Sequence, residues 1–90
     1  MRLDKFLKVS RIIKRRTVAK ELCNAGKVSV NGRTAKAGTE VKEGDIISID
    51  RGDLYLEVEV LSTPETAPAS RAGEMYRLIK KEKRSLDSLF

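Results

Sequence analysis

The sequence predicts an α+β fold: two short N-terminal helices packed on a small, mainly antiparallel sheet, followed by a C-terminal helix. Three observations carry this reading. Apolar residues recur at helical spacing up to Ala25, alternate in short runs between Lys27 and Leu61, and return to helical spacing from Arg71.

Leu3, Phe6, Leu7 and Ser10 stand at i, i+3, i+4 and i+7, one face of a short amphipathic helix. Lys14, Arg15 and Arg16 then read as a linker. Thr17 is the expected N-cap of a second helix over about Val18 to Ala25, with Val18, Leu22 and Ala25 on its apolar face and Gly26 at the C′ position. Val28 and Val30 alternate with polar neighbours, and Asn31-Gly32 is a strong hairpin signal before Arg33-Thr34-Ala35. Gly38 and Glu43-Gly44-Asp45 mark turns, and Ile47 and Ile49 alternate in a further strand. Arg51-Gly52-Asp53 lies between two alternating segments and reads as a hairpin turn, not as an adhesion tripeptide. In the clearest strand, Leu54, Leu56, Val58 and Val60 share one face while Tyr55, Glu57 and Glu59 share the other. Ser62 to Ser70 holds both prolines and reads as a linker. Ala72, Met75, Tyr76 and Ile79 then share a helical face, with Lys80, Lys81, Lys83 and Arg84 in the final turns and Ser85 to Phe90 expected to fray.

Ninety residues make one small domain with a thin core. Four aromatics leave that core to Val, Leu, Ile and Ala. Without histidine and with Cys23 alone, neither an internal disulfide nor a transition-metal site is expected. Cys23 reads as a small buried hydrophobe in a reducing compartment. No apolar run approaches the ~20 residues that span a bilayer, and no secretion signal is visible.

Charge is the most informative property. Eleven of the 19 Lys and Arg residues fall within Met1–Lys36, opposed there only by Asp4 and Glu21. That segment carries formal charge +9, against −3 for the rest. Cations at helical spacing on a folded support suit a phosphate backbone, which favours nucleic acid over anionic lipid or plain solvation. Short helices and few aromatics argue against major-groove reading and single-strand stacking, and favour structured RNA. Asp4 is the odd residue on this surface: a helix-dipole acid or internal partner of an arginine on one reading, an RNA contact on the other.

Met1-Arg-Leu-Asp-Lys-Phe-Leu, Lys14-Arg15-Arg16-Thr17 with Ala19 and Leu22, Gly26-Lys-Val-Ser-Val-Asn-Gly, Lys36 and Val41-Lys-Glu-Gly-Asp45 together resemble the alpha-L RNA-binding domain, named after small-subunit ribosomal protein S-four. The resemblance covers residues 1 to about 60. It implies an alpha-L domain over 1–61, and composition and periodicity add a linker over 62–70 and a C-terminal helix and tail over 71–90. The whole chain, through Met75-Tyr76-Arg-Leu-Ile-Lys-Lys-Glu-Lys, is similar to short stand-alone members of Gram-positive bacteria, the ribosome-associated quality-control P-site tRNA-binding proteins.

That resemblance implies a non-catalytic, cytoplasmic, ribosome-associated protein with no cofactor. The implied partners are rRNA of an obstructed large ribosomal subunit, P-site tRNA and an NEMF-class factor that adds a C-terminal alanine tail; a monomer and no membrane contact are expected. The alternative is a general ribosome- or tRNA-binding factor in rescue or subunit assembly, like the fifteen-kilodalton heat-shock relative. An RNA-modifying enzyme is disfavoured, because uridine-modifying members carry a separate catalytic domain for which the residues after 61 are too few. Carried over by position, Arg2, Lys14, Arg15 and Arg16 form the RNA-facing surface, extended by Lys5, Arg11 and Lys36. Arg16 is the first choice for a phosphate clamp, since it stands at a helix N-terminus and can bind bidentately. Its side chain is expected to be exposed and removable with little loss of folding.

Overall fold

The computed structural model describes residues 1–83. Helices α1 (Leu3–Val9) and α2 (Arg16–Asn24) precede strands β1 (Val28–Val30), β2 (Arg33–Thr34), β3 (Ile46–Asp50) and β4 (Leu54–Val60). A 3-10 helix over Ala69–Met75 leads into β5 (Tyr76–Lys83). The five strands form one antiparallel sheet in the order β2-β1-β3-β4-β5. This is the expected α+β class, with the two N-terminal helices in place.

The first helix starts without a side-chain cap. Its free amides are taken instead by a loop: Leu3 N–H donates to the Thr39 carbonyl at 2.8 Å and Asp4 N–H to that of Ala37 at 3.1 Å. Leu3, Phe6 and Leu7 are fully buried, and each contributes roughly 1.5–3 kcal/mol by leaving water. After Ser10 the chain turns at Arg11, which adopts φ +61. Its N–H reaches the Lys8 carbonyl at 3.0 Å, and Ile13 N–H reaches that of Leu7 at 3.0 Å. The turn sends Ile12 and Ile13 back into the core.

Helix α2 begins earlier than expected. Arg15 is its N-cap in extended conformation, Arg16 and Thr17 are already helical, and no side chain caps it. Its buried residues are Ala19 and Cys23, while Val18 is exposed. The face is therefore rotated from the Val18–Leu22–Ala25 stripe, because the small Ala19 lets the helix sit close on its neighbours. Burial, joined by the charge of Asp4, pushes the Cys23 thiol above its ordinary range, consistent with an inert core side chain. Gly26 ends the helix at φ +75, as expected.

Asn31 and Gly32 both take positive φ, as a tight hairpin demands. Asn31 does more than turn: its amide donates to Asp45 Oδ1 at 3.1 Å and its Oδ1 accepts from Ile46 N–H at 2.9 Å. Inward residues Val28, Ile47, Ile49, Leu56, Val58 and Val60 form the sheet side of the core. The alternation expected along β4 is thus realised.

The C-terminal helix expected over 71–90 is corrected. Ala69–Met75 is a 3-10 helix, and Tyr76–Lys83 is a strand paired with β4 from Val60↔Tyr76 to Leu54↔Lys83. Arg84 and the fraying expected at Ser85 to Phe90 lie outside the described residues. The segment fits both periods, so its own pattern does not decide. What decides is β4, whose second edge would otherwise leave a row of backbone N–H and C=O groups without partners. The register also sets Lys80 opposite Glu57 and Arg77 opposite Glu59, with Arg77 Nη2 at 2.8 Å from the carboxylate. An irregularity beside Glu57/Val58 leaves Ile79 outside the paired register, so Leu78 and Lys80 keep their respective faces.

Met75 measures how far this segment belongs to the core. It is fully buried, and its carbonyl accepts Leu61 N–H at 2.8 Å. Met75→Ala should lower stability by about 2–5 kcal/mol in urea unfolding. A loss under about 0.5 kcal/mol, the usual range for a surface change, would contradict this packing.

Candidate nucleic-acid interface

Asp4 is the centre of the basic surface. Its side chain is fully buried in the first turn of α1 and accepts hydrogen bonds from both flanking segments. Arg16 Nε donates to Oδ2 at 2.9 Å and Arg16 Nη2 to Oδ1 at 3.4 Å. Arg2 Nε donates to Oδ1 at 3.2 Å, and the Lys5 backbone N–H to the same oxygen at 2.9 Å. Burial pushes the Asp4 carboxyl up, but these hydrogen bonds and the Arg16 charge outweigh it and hold the group below its ordinary value. Of the two readings of Asp4, the internal partner is the one the geometry gives.

Both arginines remain half open to solvent, at 53% for Arg2 and 43% for Arg16. Each spends Nε on Asp4, Arg16 adding one terminal nitrogen, and both keep further guanidinium N–H groups for another acceptor. The carboxylate thus fixes two forks in place, a geometry that lowers the ordering cost for an anion meeting them. The loop over residues 36–39 closes beside them: Gly38 lies against the Arg2 guanidinium, and Thr39 Oγ accepts from Lys36 N–H at 3.1 Å. Exposed Lys36 therefore stands next to the cluster. Lys5 is differently placed. Its ammonium is paired with Glu65 from the segment after β4, whose carboxyl is held below its ordinary range by that hydrogen bond.

Arg11, Lys14 and Arg15 form a second group at the other end of α1, all exposed. They rim a concavity of about 560 Å³. Its floor is Ile12, Ile13, Val18 and Leu22, and Arg51 from the β3–β4 turn completes the rim. Adjacent residues Arg15 and Arg16 thus serve different places, one the concavity and the other Asp4. Arg51 was legible in the sequence only as a turn residue; nothing in its local pattern signals that the fold brings it to residues 11–15.

Arg16 is exposed as expected, but it is also tied to a buried carboxylate, which gives its removal a predicted cost in folding. Its removal leaves a buried carboxylate with only Arg2 and one backbone amide. Arg16→Ala should cost roughly 1–3 kcal/mol by chemical denaturation, moderated because Arg16 is partly solvated. Loss within experimental error of zero would mean that the pair does not hold Asp4. The same carboxyl gives a pH signature. Since its folded pKa is depressed, its stabilisation is complete above about pH 5 and is lost as pH falls through the folded value, below about 3.9. Asp4→Asn should flatten the acid limb of the stability curve relative to the wild type; an unchanged limb would exclude Asp4 as a contributor.

Residues 1–47 match the family model of the S4 domain. Over 82 residues the chain is 54% identical to the RQC P-site tRNA stabilizing factor of Halalkalibacterium halodurans, covering 91% of this chain and 93% of that one. It is 48% identical over 83 residues to the protein of the same name from Bacillus subtilis, covering 92% and 96% respectively. Among solved structures, the trimeric Vibrio cholerae Heat Shock Protein 15 superimposes with a TM-score of 0.81 at 28% identity, over 99% of this chain and 85% of that one. The matched region contains α1, α2 and the hairpin, the elements that build the Arg2–Asp4–Arg16 cluster, and the chain belongs to the S4 domain family.

Proposed function

We propose that this protein is a non-catalytic RNA-binding factor of ribosome-associated quality control. In this reading it binds rRNA of the obstructed large ribosomal subunit together with P-site tRNA, and supports alanine tailing of the stalled chain by an NEMF-class factor. The observation that carries it is the pair of arginines held on buried Asp4, in a chain that runs nearly the full length of relatives named RQC P-site tRNA stabilizing factors. The protein acts in the cytoplasm as a monomer, and no helix among the described residues is long and apolar enough to cross a membrane.

The mechanism is positional. Arg2 and Arg16 present pre-oriented donors to phosphate oxygens, Lys36 adds charge beside them, and Arg11, Lys14 and Arg15 extend the footprint along α1. Lys5 joins when phosphate displaces Glu65. Two RNAs held by one rigid domain raise each other's effective concentration, so modest contacts suffice for joint binding. No side chain is assigned an acid-base or nucleophilic role. A second reading, ribosome rescue or subunit assembly, draws on the similarity to Heat Shock Protein 15.

The test is sedimentation of the tagged protein from cells with stalled translation. Large subunits carrying tRNA and the tailing factor should co-migrate with it, and enrichment of immature particles instead would favour assembly. Arg2→Ala should weaken large-subunit binding about ten-fold or more, as loss of a charge-assisted contact implies. With about five phosphates neutralised, log affinity should fall with log salt at a slope of roughly −3.5 to −4.5. A slope near zero would remove phosphate contact as the source of affinity.

A further inference from the structure

The concavity beside Arg11 continues into a second recess of about 250 Å³. The two share Arg11, Ile12 and Arg51. The second recess has Leu54, Leu56 and Leu78 as its apolar wall, with Tyr76 and Lys81 at its far side. Together they make a groove with an aliphatic floor and a rim of cations broken by one acid, Asp53, crossing from α2 to the inner face of β5. A surface that met only paired RNA through its phosphates would have no use for this floor, since a duplex presents no apolar face to it.

Arg11 stands at the junction of the two recesses in a left-handed conformation. Glycine adopts that conformation freely, and a residue with a Cβ does so at a cost. The arginine supplies what glycine lacks, a cationic side chain at the border of both recesses. Arg51 opposes it, oriented by Asp53 at 3.2 Å. The larger recess falls within the ~300–1,000 Å³ of small-ligand sites, a size suited to one compact planar group rather than to a helix.

We propose that this groove receives unpaired nucleotides of a structured RNA. One base lies on the Ile12, Ile13, Val18 and Leu22 floor, and the neighbouring base enters the recess beside Tyr76. The phosphate between them sits on Arg11 and Arg51. Guanidinium planes cover the bases where aromatic residues are scarce. The site would thus give a preference for a looped or bulged RNA that the Arg2–Asp4–Arg16 cluster, a phosphate reader, does not provide. The inference rests on the RNA-binding reading above and assigns to the groove the unpaired part of the target.

The test uses a hairpin RNA with two unpaired 2-aminopurines in its loop and the same sequence closed into a full duplex. The wild-type protein should bind the hairpin roughly ten-fold more tightly than the duplex and raise its fluorescence as the bases leave the loop stack. Val18→Ser removes an exposed part of the floor without changing charge, and Arg11→Gly removes the junction while relieving the backbone. Each should bring the hairpin-to-duplex affinity ratio to within about two-fold of unity. A ratio near one in the wild type, or one unaffected by both variants, overturns the groove assignment while leaving phosphate binding intact. Failure to bind either RNA overturns the RNA-binding reading itself. Binding of an acidic, leucine-rich peptide that Val18→Ser abolishes while hairpin binding is unaffected would assign the groove to a protein and overturn the proposal.

Discussion

A buried carboxylate with two arginines on it is the constraint around which the N-terminal half is arranged. Asp4 sits in the dry interior edge of α1, where an ionised group survives only if its oxygens are satisfied. Satisfying them requires Arg2 before the helix, Arg16 at the start of the next one, and the backbone between Asp4 and Lys5. The relative placement of α1 and α2 is therefore fixed by an electrostatic bond as well as by Leu3, Phe6 and Leu7. The loop over 36–39 completes the arrangement by accepting the helix's first amides. Rigid presentation of the cations follows from this internal requirement.

The same arrangement explains why so much positive charge is tolerated in a short segment. One negative charge lies among the cations at their most crowded point, where it offsets repulsion between Arg2 and Arg16. Arg11 and Lys14 lie past the far end of α1, whose seven residues rise about 10 Å at 1.5 Å each, while Arg15 stays beside Arg16 in the chain. At physiological salt, charges about a Debye length apart are largely screened from one another. Two clusters cost less than one. They also differ in surroundings, since one is tied to a carboxylate and the other rims an apolar floor.

Local chemistry was legible where it was sufficient. Asn31-Gly32 and Gly26 demand specific backbone angles, and the alternation from Leu54 to Val60 demands one buried face. The α+β class follows from such segments alone. What was not legible depended on distant residues. Tyr76–Lys83 is a strand because β4 has an edge to fill, although Ala72, Met75, Tyr76 and Ile79 also satisfy a helical period. The rotation of α2 away from Val18 depends on what lies beneath Ala19, which no window of α2 contains. Arg15 and Arg16 look equivalent in sequence and diverge only because Asp4 lies to one side. The role of Arg51 required the whole β3–β4 hairpin to fold toward the turn at Arg11.

The pairing of β5 with β4 has a further effect through the molecule's field. Arg77 is paired with Glu59, and Lys80 stands opposite Glu57 and pairs with Glu82, so part of the positive charge of the C-terminal strand is offset within the sheet. The helical end keeps its excess, and the protein therefore carries a permanent electrostatic moment directed from sheet to helices. In the field of a polyanion such a moment exerts a torque at distances beyond contact, turning the helices forward during approach. Its effect is kinetic: a larger fraction of encounters arrive in the correct orientation, and capture is accelerated without any change in the contacts made afterwards.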